Sequence, residues 1–192
     1  VLAGASHKII AIEGQASYNI EDYGIALAKI HGVGLPSAEF AAKISQANIL
    51  PTYMWNSNEW LAARLGLTVK NINQKITPVI AEQPTASRLL NRTIAAGECL
   101  GMTATIDLET NEGPIIQAKS TGKIYGPADQ DTNNWTIKGQ PDINVTITQP
   151  ATVELTCATI VNRIPEIMVA NPGFLTTHNW PSPSYRGRIL PS

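Results

Sequence analysis

The sequence predicts an α+β domain in which helices pack on one face of an open, mostly antiparallel mixed sheet. The 192-residue chain is 43% hydrophobic and 15% charged, which suffices for one ordinary core. Apolar residues recur at helical spacing in the first third of the chain and alternate with polar residues in the middle. Helical spacing returns after Pro150. This order of helices, strands and a last helix is typical of an α+β fold.

Three helices are predicted after a first strand at residues 7–13. The first spans residues 22–30. The second begins with Ser37 as its N-cap, since a serine oxygen can accept a hydrogen bond from the first free backbone N–H groups. The third spans residues 57–65 and ends before a glycine, which tolerates the left-handed conformation that closes many helices.

The middle of the chain predicts a sheet with one buried face and one wet or partner-facing face. Ile143, Val145 and Ile147 alternate with polar residues, which is the clearest case. The last helix follows Pro150 and is expected to be interrupted at Pro165, and the tail after it to be irregular. The predicted strands are 72–81, 102–108, 115–124, 135–138 and 143–148.

Charge and hydropathy argue against two classes of partner. The formal net charge is −1, and lysines and arginines form no run longer than a pair, so nucleic acid is not expected. No stretch of about 18 apolar residues is present, so a soluble chain without a membrane partner is expected. Cys99 and Cys157 lie in apolar runs and are predicted to be buried, reduced thiols, which favours the cytoplasm.

The residues by themselves reveal no catalytic centre. His7, His31 and His178 lack metal ligands at a suitable spacing, so no metal is expected. The Gly32–Ser37 segment has two glycines of a dinucleotide-binding loop, but it lacks the third and follows a predicted helix, which favours a turn between helices.

Three carboxylates leave two interpretations open. Glu13, Glu21 and Asp22 occur near tyrosines and would suit acid/base chemistry if they were buried together. Ordinary solvated charges at the end of a strand and the start of a helix are the favoured interpretation, because such side chains are seldom buried.

Three stretches of the chain together resemble one family. They are YGIALAKIHGVGLPSAEFAAKI (23–44), WTIKGQPDINVTI (135–147) and ATIVNRIPEIMVANPGFLTTHNWPSPSY (158–185). Each is similar to a pattern of the 2,4-diaminopentanoate dehydrogenase and native amine dehydrogenase family, which is distantly related to dihydrodipicolinate reductases. The match follows the family's order over nearly the whole chain.

The resemblance implies the C-terminal domain of a Rossmann-type dehydrogenase. Residues 1–192 would form the substrate-binding and dimerisation domain, and the N-terminal Rossmann domain that holds NAD or NADP would lie upstream. No cofactor is expected on this chain alone, and no catalytic residue is assigned to it. The resemblance also implies a homodimer formed through the sheet, whose face would otherwise expose apolar surface.

The implied reaction is reductive amination of small ketones or aldehydes with ammonia, reversible as oxidative deamination of amines. No Lys or Arg stands out as a clamp for a carboxylate, which favours unfunctionalised substrates over amino acids. The chain departs from the family at 50–57 and at Asn171, where pocket residues are expected. The residues that the resemblance assigns to the substrate pocket are Tyr18, Asn19, Tyr23, Ile25, Leu27, Met54, Trp55, Thr176 and His178.

Two other functions stay open at this point. One is a diamino-acid or dipicolinate-type reductase of the same architecture. The other is a non-catalytic module that dimerises or binds a small molecule.

Overall fold

The computed structural model describes residues 2–44, 51–177 and 180–181. The chain divides into two compact units, Val1–Gln149 and Pro150–Ser192. Each unit is described separately below.

The first unit is built on a six-stranded sheet. Its strands are β1 (Lys8–Asn19), β2 (Val69–Ile80), β5 (Cys99–Thr110), β6 (Ile115–Lys123), β7 (Thr132–Gln140) and β8 (Ile143–Thr148). They are ordered β2-β5-β6-β1-β7-β8. The β1–β6 pair is parallel, and the other neighbouring pairs are antiparallel. The predicted fold class is therefore confirmed.

Short elements complete the first unit. Strands β3 (Thr85–Ser87) and β4 (Arg92–Ile94) form a separate two-stranded sheet. The helices are α1 (Ile25–Ile30), α2 (Ser37–Lys43) and α3 (Tyr53–Arg64), with 3-10 turns at Leu2–Ala5 and Ile20–Asp22. Within the described ranges, no helix is long and apolar enough to cross a membrane.

Helix α3 covers one face of the large sheet because its inward residues recur every four positions. These residues are Met54, Asn58 and Ala62, all buried. Met54 packs against Ile106 and Ala118, while Ala62 contributes to a neighbouring cluster with Ile12, Leu108 and Ile116. Burying each large aliphatic side chain stabilises the fold by about 1.5–3 kcal/mol relative to leaving it in water.

A second apolar cluster holds the loops at one end of the sheet. It joins α1, β4 and residues that follow β1, β2 and β6, and its buried members are Ile20, Ala28, Val33, Ala81, Ile94 and Ile124. Tyr18 and Leu27 pack against it from the side. This cluster anchors the segments that carry the candidate site.

The opposite face of the sheet is polar. Strand register aligns side chains in rows across all six strands on this face. One row is Asn73, Asp107, Gln117, Glu13, Thr136 and Asn144. The next row is Lys75, Thr105, Lys119, Gln15, Asn134 and Thr146. Glu13 forms an ion pair with Lys138 on this face. Ile10, Ile115 and Ile147 of the strands are nevertheless exposed, and the expected pairing through the sheet stays a prediction.

The second unit contains α4 (Thr152–Met168). The helix was expected to stop at Pro165, but it continues through it to Met168. Proline removes one backbone hydrogen bond and bends a helix without necessarily ending it. The Arg163 side chain spans this position, since it pairs with Glu166 at 3.1 Å and donates to the Pro181 carbonyl at 2.8 Å. Its guanidinium also lies 4.9 Å from the ring centroid of Trp180.

Several element boundaries differ from the sequence predictions. Helix α3 starts at Tyr53, four residues early, because Ser57 donates back to the Tyr53 carbonyl inside the helix instead of opening it. Ser37 is the first helical residue of α2, and Pro36 occupies the N-cap position. The first helix is shortened to α1 because Gly24 adopts a φ of 87°. Cys99 is buried as predicted, but Cys157 is exposed on α4, which has no buried residue.

Candidate functional site

The candidate site forms where the parallel strands β1 and β6 end side by side. Tyr18 of β1 is in register with Gly122 of β6, and Ala16 is in register with Ser120. The Tyr18 ring lies over Gly122, where a Cβ atom would come within 2.6 Å of the ring. The missing side chain of Gly122 therefore makes the space that Tyr18 fills.

His31, at the end of α1, fixes the other side of Tyr18. The Tyr18 hydroxyl oxygen lies 2.7 Å from His31 Nε2, and His31 Nδ1 lies 2.9 Å from the Leu27 carbonyl oxygen. The Tyr23 ring meets the Tyr18 ring edge-on, with centroids 5.4 Å apart. His31 is only 4% exposed, so this contact is part of the protein interior.

Tyr53 brings α3 into the same site. Its hydroxyl hydrogen-bonds the Ser120 hydroxyl. Ser120 is 4% exposed, whereas Tyr53 is 56% exposed. Tyr53 therefore links a buried hydroxyl to the surface of the domain.

The groups of this cluster are uncharged near neutral pH. Desolvation lowers the pKa of His31, although its bond to the Leu27 carbonyl opposes the shift. Desolvation raises the pKa of the Tyr18 phenol well above its ordinary value, and it also raises the pKa of Tyr53. The site thus offers neutral hydroxyl groups beside the apolar side chains of Tyr23 and Leu27.

The lowered pKa of His31 predicts a pH-dependent stability. As pH falls below the ordinary histidine value of 6.5, the unfolded chain binds a proton at His31 that the folded chain does not. The free energy of unfolding should therefore fall with pH until the folded pKa is reached, by at most about 1.4 kcal/mol per pH unit. Urea unfolding of the chain at several pH values measures this slope. His31→Gln should flatten it, and an unchanged slope in that variant would exclude His31 as the source.

The structure brings together three of the residues assigned to the pocket, namely Tyr18, Tyr23 and Leu27. Ile25 is 42% exposed on the first turn of α1. Asn19 has a structural task, because its Oδ1 accepts the Glu21 N–H at 3.2 Å and so caps the adjoining 3-10 turn.

Of the remaining assigned residues, two pack in the core of the first unit and two belong to the second unit. Met54 is 5% exposed inside the core beneath α3, and Trp55 packs against the same cluster. Thr176 is partly buried in the second unit. His178 lies outside the described residues.

Sequence reasoning missed His31, Tyr53, Ser120 and Gly122. His31 was considered only as a metal ligand, and its position four residues after Leu27 was the available signal, since such residues are neighbours on a helix. Tyr53 directly precedes Met54, which was predicted to line the pocket. Because the predicted helix began only at residue 57, the sequence did not indicate where the Tyr53 side chain points. No local pattern distinguishes Ser120 or Gly122 from other strand residues.

The three carboxylates do not form one acid/base cluster. Glu13 pairs with Lys138 on the polar face of the sheet. The Glu21 carboxylate accepts from the Ser87 hydroxyl at 2.8 Å and from Arg88 at 3.1 Å, and Asp22 pairs with the same arginine. The favoured interpretation as solvated charges agrees with the placement of Glu13 and Asp22. It is wrong for Glu21, whose side chain is only 6% exposed because Ser87 and Arg88 cover the carboxylate.

The glycine-rich segment forms a turn between α1 and α2, as the sequence predicted. A Cβ atom at Gly32 would lie 2.9 Å from the Phe40 ring, and one at Gly34 would lie 2.6 Å from the Arg92 guanidinium. The two glycines are therefore required by the close packing of the turn. Among the described residues, no group of three or more His, Cys, Asp and Glu side chains is arranged to hold a metal ion.

Comparison with known proteins identifies relatives. The family model described as the 2,4-diaminopentanoate dehydrogenase C-terminal domain matches residues 1–186. Among solved structures, an amine dehydrogenase from Mycobacterium smegmatis is similar, with 37% sequence identity and a TM-score of 0.90. The match covers 96% of this chain and 55% of that one, so the chain spans about half the length of this relative. Comparison with curated protein sequences found no match.

Proposed function

Because the chain belongs to the 2,4-diaminopentanoate dehydrogenase C-terminal domain family, we propose that it is the substrate-binding half of an NAD(P)-dependent amine dehydrogenase. The observation that carries this proposal is the neutral hydroxyl cluster of Tyr18, Tyr53 and Ser120 beside apolar side chains. NAD or NADP would bind outside these residues, because the glycine-rich turn lacks the third glycine of a dinucleotide-binding loop.

The proposed reaction needs a site that tolerates an amine and excludes water. Ammonia replaces the oxygen of a ketone or aldehyde as water leaves, and the resulting iminium must not be hydrolysed before it is reduced. Tyr23 and Leu27 would provide the apolar wall, and the hydroxyl cluster would orient the nitrogen through hydrogen bonds. The hydride donor lies outside this chain.

Small ketones and aldehydes without a carboxylate are the proposed substrates. The arginines of the β3–β4 region are engaged in the protein, since Arg88 pairs with Glu21 and Arg92 pairs with Glu98. Freeing either arginine for a substrate carboxylate would leave a partner charge unpaired, which opposes binding of 2-oxo acids.

Turnover by the natural protein that contains this chain tests the proposal. With ammonia and NADH or NADPH, we expect amine formation from cyclohexanone to exceed that from pyruvate by about tenfold or more in kcat/KM. A strong preference for 2-oxo acids would contradict the proposed substrate class.

A diamino-acid reductase is the second candidate, because the family's own description names 2,4-diaminopentanoate. Oxidation of 2,4-diaminopentanoate without oxidation of simple amines would favour this second candidate.

We further propose that the polar sheet face pairs with a second copy of the chain, in the cytoplasm. The face is self-complementary because it carries both Glu13 and Asp107 and the basic residues Lys75 and Lys119. A recess of about 290 Å³ at its centre would receive partner side chains.

The two cysteines support the proposed location in the cytoplasm. Cys99 and Cys157 are both free, as is usual in a reducing compartment.

Light scattering tests the pairing. We expect a particle of twice the 20.6 kDa chain mass. Glu13→Lys places a second positive charge next to Lys138 and should weaken the dimer, whereas Glu59→Lys on the exposed side of α3 should not. A monomer at high concentration would contradict the proposal.

A further inference from the structure

His31 is the buried polar group of the site that the proposed function does not yet use. It lies between two hydrogen-bond partners, the Leu27 carbonyl and the Tyr18 hydroxyl. Gly32, the next residue, is packed beneath Phe40 and Ile44. The imidazole ring is therefore held through both of its nitrogen atoms.

The partners of His31 determine which ring nitrogen carries the proton. A carbonyl oxygen only accepts hydrogen bonds, so the Nδ1 atom facing Leu27 must be protonated. Burial keeps the ring neutral by lowering its pKa, so Nε2 carries no hydrogen. Nε2 must then accept, and the Tyr18 hydroxyl donates to it.

The hydroxyl oxygen of Tyr18 is left as an acceptor. Since the Tyr18 hydrogen is engaged with His31 Nε2, only the lone pairs of its oxygen remain for a ligand. Tyr53 and Ser120 share a separate hydrogen bond, in which either hydroxyl can donate.

We propose that His31 is a positioning residue that turns the Tyr18 hydroxyl hydrogen away from the ligand, so that the site accepts the N–H groups of an amine or iminium in preference to a carbonyl oxygen. This inference rests on the proposed function and names the chemical form of the substrate that the site prefers. A ketone oxygen needs a donor, and the Tyr18 hydroxyl has none to offer. An ammonium or iminium group supplies the donors that fit.

Two substitutions separate positioning from simple packing. His31→Asn keeps a donor at the position of Nδ1 for the Leu27 carbonyl, but it removes the acceptor for Tyr18. His31→Gln places an amide oxygen near the position of Nε2, so it retains the acceptor and loses the bond to Leu27. If His31 is only structural, His31→Asn should impair amine binding less than His31→Gln does. If His31 is a positioning residue, His31→Gln should impair it less.

Nitrogen-15 NMR of the imidazole in the 192-residue chain tests the first step at neutral pH. We expect a protonated Nδ1 and a bare Nε2 for His31. A protonated Nε2, or a doubly protonated ring, would overturn the inference. This readout needs neither cofactor nor turnover, so it separates a failure here from a failure of the proposed function.

Binding of a matched pair of probes to the same chain tests the second step. Cyclohexylammonium and cyclohexanone share a ring and differ in the polar group. NMR titration should show the ammonium binding about tenfold tighter than the ketone, and His31→Gln should keep this ratio while His31→Asn loses most of it. Equal binding of the two probes, binding of neither up to about 100 mM, or an unchanged ratio in His31→Asn would each overturn the proposal.

Discussion

Alanine at position 101 should destabilise the sheet by about 3 kcal/mol or more. Gly101 of β5 faces β6, where an added Cβ atom would lie 2.0 Å from the Gly122 carbonyl oxygen and 2.7 Å from the Lys123 Cα atom. Both are backbone atoms of a strand held on both sides, so the clash can be relieved only by separating β5 from β6. The midpoint of urea unfolding should fall accordingly.

Gly4→Ala is the matched control for this experiment. A Cβ atom at Gly4 has no neighbour within 4 Å, so the same methyl group is added without a clash. Its unfolding midpoint should stay close to that of the parent chain. A Gly101→Ala chain as stable as the Gly4→Ala chain would contradict the pairing of β5 with β6 at this register.

Gly122→Ala should weaken amine binding at the site more than it destabilises the fold. Its Cβ atom would lie 2.6–2.7 Å from the Cζ, Cε2 and hydroxyl atoms of Tyr18. The tyrosine ring has to move, which breaks its bond to His31 Nε2. We expect amine affinity to fall by about tenfold, and stability to fall by about 1–2 kcal/mol, since a side chain yields more readily than backbone.

A double substitution identifies the ring as the cause. In Gly122→Ala/Tyr18→Ala the clash is absent, so the stability losses of the two single changes should not add. Gly126→Ala serves as the control, because its Cβ atom would meet only Asp129 at 3.6 Å, an ordinary contact. Additive losses in the double variant would show that Tyr18 does not lie over Gly122.

The sheet illustrates how far local patterns lead. Alternation of apolar and polar residues predicted the strands at 72–81, 102–108, 115–124 and 143–148, since the pleat itself has a period of two. Strands β3 and β4, with three residues each, are too short for any period to show. Pro165 misled the prediction of α4, because the contacts of Arg163 that span it lie up to 18 residues away.

The pocket assignment shows the same limit. Tyr18, Tyr23 and Leu27 are neighbours along one short stretch, and the structure keeps them together. The pocket assignment named Met54, whereas the neighbouring residue Tyr53 reaches the site. Adjacent side chains on a helix point about 100° apart, so an error of one position changes the side of the helix. Starting α3 at Tyr53 directs Tyr53 to Ser120 and Met54 into the core.

The sequence by itself determined the fold class, the apolar face of the sheet and the family, because each depends on periodic or contiguous residues. Only the tertiary structure decided the site, since His31, Tyr53 and Ser120 are ordinary residues until β1, α1, α3 and β6 converge. The direction of the Tyr18 hydrogen bond was likewise decided there. A carbonyl that can only accept, placed 2.9 Å from a buried imidazole, orients the ring and with it the Tyr18 hydroxyl.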